Sequence, residues 1–238
     1  MQILIRKNCK DIWNAFMVKG ATFSKSDIPI CPTTAKEVPN EVVSYRTAKS
    51  IYRKETRRDS CFKSRAYVHF YIDDHVFDGR DGIWSNPRKA YSILKHFEGI
   101  IVPDFSTCLD FPYPLKIWNY YRMYAFGYWY GSKCGKNVIV QARWDYEDSF
   151  LYCFDGIREG DMVAIGTLAS GLRKKENRQR FEVGLRELVS QKHPSVLIVV
   201  GTIEIPAFRE IERQGIKIVH FRSETDLRLE AYKNVKGK

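Results

Sequence analysis

The chain has 238 residues, 44% of them hydrophobic, and a formal charge of +11. That length and apolar content fit one globular α/β domain with a full core, and exclude a disordered chain or a small scaffold that needs staples. No run approaches the ~18 apolar residues of a membrane span, and Ile3-Leu4-Ile5 is too short an apolar stretch for a signal peptide. The positive charge has two readings: a solvated basic surface, or attraction to an anionic partner, most often nucleic acid. Six cysteines show no CxxC spacing, so no zinc knuckle is written in the chain, and reduced thiols in a cytoplasm fit a large core without a leader. The histidines form no HExxH or H-x-E pattern, so a metal site would be built mostly from carboxylates.

In chain order, residues 11–18 read as a helix closed by Gly20. The prolines of SDIPICPTTAKEVPN then impose extended backbone. Residues 41–45 read as a short strand. Residues 46–65 hold eight Lys or Arg against two acids. Arg46, Lys49, Arg53 and Arg57 fall on one helix face, with Lys54 and Arg58 beside them, and Tyr45 and Tyr52 add aromatic surface. Such a face contacts phosphates by releasing counterions, or it simply keeps the protein soluble.

From Tyr67 a βα rhythm begins. YVHFYIDD (67–74) is a strand ending in two aspartates. Residues 86–98 are a helix with Asn86 as cap and Pro87 in its first turn. GIIVPDFS (99–106) is the next strand, and residues 114–130 form an aromatic helix. A strand over 137–145 precedes a short helix over 147–154 and the strand MVAIGT. A helix over 174–192, the uniformly apolar strand 195–202, a helix over 206–214 and a last strand 216–221 complete the series. The predicted organisation is an amino-terminal extension with the basic segment over 1–66, a βα-repeat core over 67–222 and a charged surface tail over 223–238. Alternating strands and helices demand parallel pairing and right-handed crossovers. A TIM-barrel-like form, complete or missing a unit, fits because nearly every strand ends in polar or small residues; an open doubly wound sheet is the alternative.

HFYIDD, VPDFS, VIVQARW, CFDGI, VAIGT and the spaced pattern RxxFxxGL (178–185), with NAFMVKGATFSKSDIPI near the start, resemble a family of phage and Gram-positive mobile-element proteins known only as a domain of unknown function. The resemblance covers roughly residues 14 to 221. This chain departs from the family pattern in having Val140-Gln141 where Pro-Asn is usual, and LASGLRK in place of a tighter Gly-Cys turn. The resemblance implies a phage or prophage setting and no established activity.

Four groups of residues carry the candidate chemistry. Asp73, Asp74, Asp104 and Asp145 stand at strand ends. Converging carboxylates there bind Mg²⁺ or divide acid and base roles, whereas single ones cap helices and turns. The small-residue loop 166–171, with Thr167, Ser170 and Gly171, runs into Arg173 and a basic helix; it is either a phosphate cradle or an ordinary βα turn. Arg143-Trp144 pairs a cation with an aromatic at a buried strand end, and Ser106 follows Asp104 nearby. Arg143 pairs with Asp104, Asp145 or a ligand anion, while Trp144 stacks on a base or belongs to the core. The aromatic stretch 117–131 has two readings, stacking of nucleic-acid bases or, as aromatics at helical spacing more often do, core packing against the sheet. Together these readings predict a phage or mobile-element protein of the host cytoplasm, with no membrane part, that acts on or binds nucleic acid or nucleotides through a strand-end site. The alternative is a non-enzymatic phage protein that binds and inhibits a host protein.

Overall fold

A computed structural model describes residues 8–168 and 170–236; the Ile3-Leu4-Ile5 run lies outside them. Seven strands, β1 (Val42–Ser44), β2 (Ser64–His69), β3 (Phe97–Ile101), β4 (Asn137–Gln141), β5 (Met162–Gly166), β6 (Val196–Val200) and β7 (Lys217–Phe221), form one sheet in sequence order. Every neighbouring pair is parallel. Between and after them lie α1 (Tyr45–Glu55), α2 (Pro87–Leu94), α3 (Tyr113–Tyr128), α4 (Lys175–Lys192), α5 (Pro206–Arg213) and α6 (Glu224–Lys236). The unreversed order of parallel strands, with helices alternating between them, curls the sheet into a half-barrel, as crossovers of one hand require. The strand order never reverses, so there is no switch point, and the doubly wound alternative is excluded.

The apolar strands bury both faces, and alternate residues divide between two cores. Val68, Phe70, Ile100, Val138, Val140, Val163 and Leu197 pack outward under the helices. Tyr67, Tyr71, Ile101, Ile139, Met162, Ala164 and Ile198 fill the concave side. The six cysteines form no disulfide, and among the described residues no helix is long and apolar enough to cross a membrane.

The proline-rich segment is extended, as its composition demands, and it closes the floor of the barrel. Thr33 Oγ1 accepts from Val140 N at 3.0 Å and donates to Met162 O at 2.7 Å, while Thr34 Oγ1 accepts from Val138 N at 2.8 Å. These hydroxyls satisfy the amino-terminal half of β4, whose direct pairing with β5 begins only at Val140↔Val163. With that end plugged, the opening lies at the carboxyl ends of the strands. There Glu224, at the start of α6, accepts from Ser44 N at 2.7 Å and Thr47 Oγ1 at 2.9 Å. This contact ties the last βα unit to β1, although the edge strands do not pair.

Several element ends differ from expectation. The helix expected over 11–18 is a 3-10 turn, Ala15–Val18. Strand β2 stops at His69, leaving Phe70 to Asp73 as a strand-end loop that runs into a 3-10 turn at Asp74–Val76. The tail expected as charged surface contains α6. Asn86 caps α2 by accepting from Lys89 N, with Pro87 in the first turn, as read from the sequence. Helix α3 is buried on most sides because the sheet lies under it and the 3-10 turn covers it, where Tyr121 Oη donates to Trp13 O at 3.1 Å. The spaced motif over 178–185 also has a packing cause. Trp144 lies against Phe181, ring centroids 5.1 Å apart, and over Gly184, where any Cβ would overlap the indole. Gly184→Val is therefore expected to cost about 1–3 kcal/mol through overpacking. Urea unfolding reads that loss, and an unchanged midpoint would mean that the indole does not occupy this notch.

Candidate functional site

At the open end lies a cleft of ≈ 600 Å³, within the ~300–1,000 Å³ of small-molecule sites. Residues from the ends of β1 to β5 and from the starts of α1 and α6 line it. All four candidate aspartates, Asp73, Asp74, Asp104 and Asp145, face this one cleft.

Each aspartate meets protein donors. Asp73 sits at the rim, 3.7 Å from Arg46. Asp74 accepts from Ser106 N at 3.0 Å and from Ser106 Oγ at 2.8 Å, which fixes the loop after β3. Asp104 pairs with Arg143 at 2.9 Å and accepts from Gln141 Nε2 at 3.3 Å. Asp145 faces Lys116 Nζ at 3.1 Å and accepts from Thr107 Oγ1 at 3.3 Å. Arg143 Nε donates to the same Thr107 hydroxyl at 3.0 Å, so one threonine links the Asp104–Arg143 pair to Asp145. Among the described residues no three His, Cys, Asp or Glu side chains converge as a metal-ligand set.

The β4 end is held from outside the sheet. Tyr120 Oη donates to Arg143 O at 3.1 Å, and Tyr124 Oη reaches Gln141 O at 3.3 Å and Cys153 O at 3.0 Å. The tyrosines of α3 thus satisfy carbonyls that lose ladder partners where the strand ends. Beside them Arg122 bonds Asp78 at 2.6 Å, and Asn119 Nδ2 donates to Ser106 O. The aromatic helix is core, and its polar edge positions the cleft.

Burial sets the charge states. It lifts the Asp104 carboxyl above its ordinary value, against the pull of Arg143 and Gln141. Burial alone would weaken the Arg143 guanidinium, but Asp104 and the surrounding acids raise it, so it stays protonated. His69 is 3% exposed, and burial pushes it down to about 4, against Glu224. Its Nδ1 accepts from Tyr71 N at 3.3 Å, which assigns the neutral ring its proton at Nε2. Burial would raise Glu224, but bonds from Ser44 and Thr47, with His69 nearby, bring it below its usual value.

The other candidates are spread more widely. Ser106, Arg143, Trp144 and Ser170 line the cleft. Thr167 does not: its Oγ1 donates to Thr202 O at 3.0 Å and accepts from Thr202 N at 2.6 Å, tying β5 to β6. Gly171, at φ +61°, accepts from Asn177 Nδ2 at the start of α4, and Ala169 lies outside the described residues. Arg173 lines a separate cavity beside β6 and β7. Of the basic segment, Arg46 lines the cleft. Lys49 bonds Val76 O at 2.9 Å, and Arg53, Lys54, Arg57 and Arg58 are exposed on or just beyond α1.

His69, Tyr71, Gln141, Arg180 and Glu224 also line the cleft and escaped sequence reading. Period-two alternation held the signal for three of them. His69, Tyr71 and Asp73 share a parity, as do Ile139, Gln141 and Arg143, and that parity faces the concave side.

These features define an incomplete parallel βα barrel with a polar, mixed-charge cleft at its strand carboxyl ends. The model of the domain of unknown function DUF4417 matches residues 24–222, and the chain belongs to that family. Its relatives include the Gene 1 protein of Mycobacterium phage L5, 34% identical over 160 residues, covering 64% of this chain and 67% of the relative. The Gene 1 protein of Mycobacterium phage D29 is 32% identical over 174 residues, covering 72% and 62%. The chain thus spans about two thirds of the length of these relatives. No solved structure matches it.

Proposed function

We propose that this phage-family protein binds a nucleotide, free or within a nucleic-acid strand, in the strand-end cleft. The observation that carries the reading is Arg46, which lines the cleft and also begins α1, whose exposed side carries Arg53 and Lys54. A strand lying on α1 would reach the cleft mouth without leaving cationic surface. Inside, the protonated Arg143 is held by Asp104 and Thr107 and serves as the anion anchor, while Arg180 and Arg228 add cations to the walls. The cleft volume suits one nucleotide and not a duplex. Asp104, with its raised carboxyl, and Asp145 are the groups for acid–base work on the bound nucleotide.

Fluorescence anisotropy with a labelled single-stranded oligonucleotide at about 50 and 200 mM salt, with calorimetry of nucleoside monophosphates, tests this. Binding should weaken steeply with salt, and Arg46→Gln with Arg53→Gln should lower the log–log slope by about 1–2. Arg143→Met should weaken mononucleotide binding at least ~10-fold, the loss of one charge-assisted contact. No binding of either probe at low salt overturns the reading and leaves a host protein as the partner class to pursue.

A further inference from the structure

Three cleft residues hold a buried polar atom without a hydrogen bond among the described residues: Asp145 Oδ2, which faces Lys116 Nζ at 3.1 Å, and the hydroxyl Oη of Tyr71 and the amide Oε1 of Gln141, which have no such counter-charge. Tyr71 is 6% and Gln141 0% exposed. Neither of these two side chains is loosely placed. The Tyr71 ring stacks on His69 at 5.5 Å and 28°, and lies over Gly166, where any Cβ would overlap it. The Gln141 amide is oriented by its Nε2, which donates to Asp104 Oδ1 and meets Met123 Sδ at 3.3 Å. Turning the amide over would set Oε1 against the carboxylate, so Oε1 remains the free acceptor. The Tyr71 phenol is raised well above its ordinary value by burial and by Asp104, which keeps it an O–H donor at neutral pH. Buried groups are nearly always paired in native proteins, so an unpaired donor and an unpaired acceptor on two residues that line one cleft require an explanation.

We infer that Tyr71 and Gln141 form the base-recognition floor of the cleft, taking a planar heterocycle with adjacent acceptor and donor atoms, a nucleobase, with its phosphate directed to Arg143 and the cationic rim. This rests on the nucleotide reading above and adds to it which part of the ligand goes where. An acceptor on the heterocycle receives the Tyr71 O–H, and a ring or exocyclic N–H donates to Gln141 Oε1. Sites that hydrogen-bond a ligand discriminate strongly, because a ligand lacking the matching groups leaves the buried atoms unpaired.

Calorimetry with the four nucleosides, their 5′-monophosphates and ribose 5-phosphate tests the inference on wild type, Tyr71→Phe and Tyr130→Phe. Tyr130 also has a buried hydroxyl without a partner but does not line the cleft, which makes it the control. Wild type should bind at least one nucleoside without its phosphate. Tyr71→Phe should weaken that nucleoside and its monophosphate about tenfold, leave ribose 5-phosphate unchanged, and hold or raise the melting temperature. Tyr130→Phe should leave all affinities unchanged. The inference alone fails if nucleotides bind but Tyr71→Phe binds them as wild type does, or if ribose 5-phosphate binds as tightly as the nucleotide. A fall of several degrees in the melting temperature of Tyr71→Phe also overturns it, since the hydroxyl would then have a protein partner. If wild type binds no nucleotide or nucleoside, the nucleotide reading fails and takes the inference with it.

Discussion

Replacing Asp104 by Ala is expected to destabilise the protein by about 3 kcal/mol, the low end of the cost of breaking a buried ion pair. The low end applies because Arg143 keeps 29% of its side-chain exposure and Asp104 18%. The loss comes from the guanidinium left behind, which retains Thr107 but loses its counter-charge in a site that excludes most water. Gln141 loses the acceptor of its amide in the same step. A double replacement, Asp104→Leu with Arg143→Met, removes both charges together and should recover more than half of the cost, because an apolar pair of similar volume spares the desolvation of two ions. Urea unfolding of Asp104→Leu, Arg143→Met and the double variant gives the coupling. Additive losses would mean that the two side chains do not interact as a pair. The cycle also separates stability from function, since the double variant should fold and still bind a mononucleotide at least ~10-fold more weakly than wild type.

Stability is expected to fall between about pH 6.5 and pH 4, with His69 as the largest single cause. In the unfolded chain this histidine takes a proton near ~6.5, whereas in the folded protein it does so only at about 4. Over that window the unfolded state binds the extra proton, so each pH unit of acidification costs up to about 1.4 kcal/mol, about 3 kcal/mol across the window. Above the unfolded value the ring is neutral in both states and contributes no slope. Glu224 works in the same direction: its folded value is depressed, so its stabilisation is present above the ordinary glutamate range and is lost as pH falls through the folded value. The His69→Gln variant isolates the histidine. Wild type should lose stability more steeply than the variant from pH 6.5 to 4.5, and parallel curves would show that His69 takes up its proton normally in the folded state.

The βα rhythm was legible because each strand buries both faces and each helix one, and these demands write different periods into the chain. That is why β2 to β7 and α2 to α5 each answer to a strand or helix read from the apolar runs and caps, although β2, β3 and β4 stop short of the polar residues that close those runs. Local chemistry also located the strand-end aspartates and Arg143, since a charge that closes an apolar strand has few places to go. What the chain did not show locally depends on neighbours far away in sequence. Thr167 has the appearance of a phosphate-loop residue, yet its hydroxyl is taken up by the backbone at Thr202, a partner 35 positions away. The cations of 46–65 form one basic segment, but only the turn of α1 beside β2 brings Arg46 into the cleft. Tyr71 and Gln141 look like strand-end and core residues; they become a pair because β2 and β4 flank β3 on the same concave face. Strand order decided between barrel and open sheet, and it is a property of long-range pairing that no local period encodes. The sequence by itself thus determined the elements and the chemistry at their ends, because propensity, alternation and capping act over a few residues. The tertiary structure alone decided which of those ends meet, because the curl of an unreversed parallel sheet, plugged by Thr33 and Thr34 at one end, gathers them around the cleft at the other.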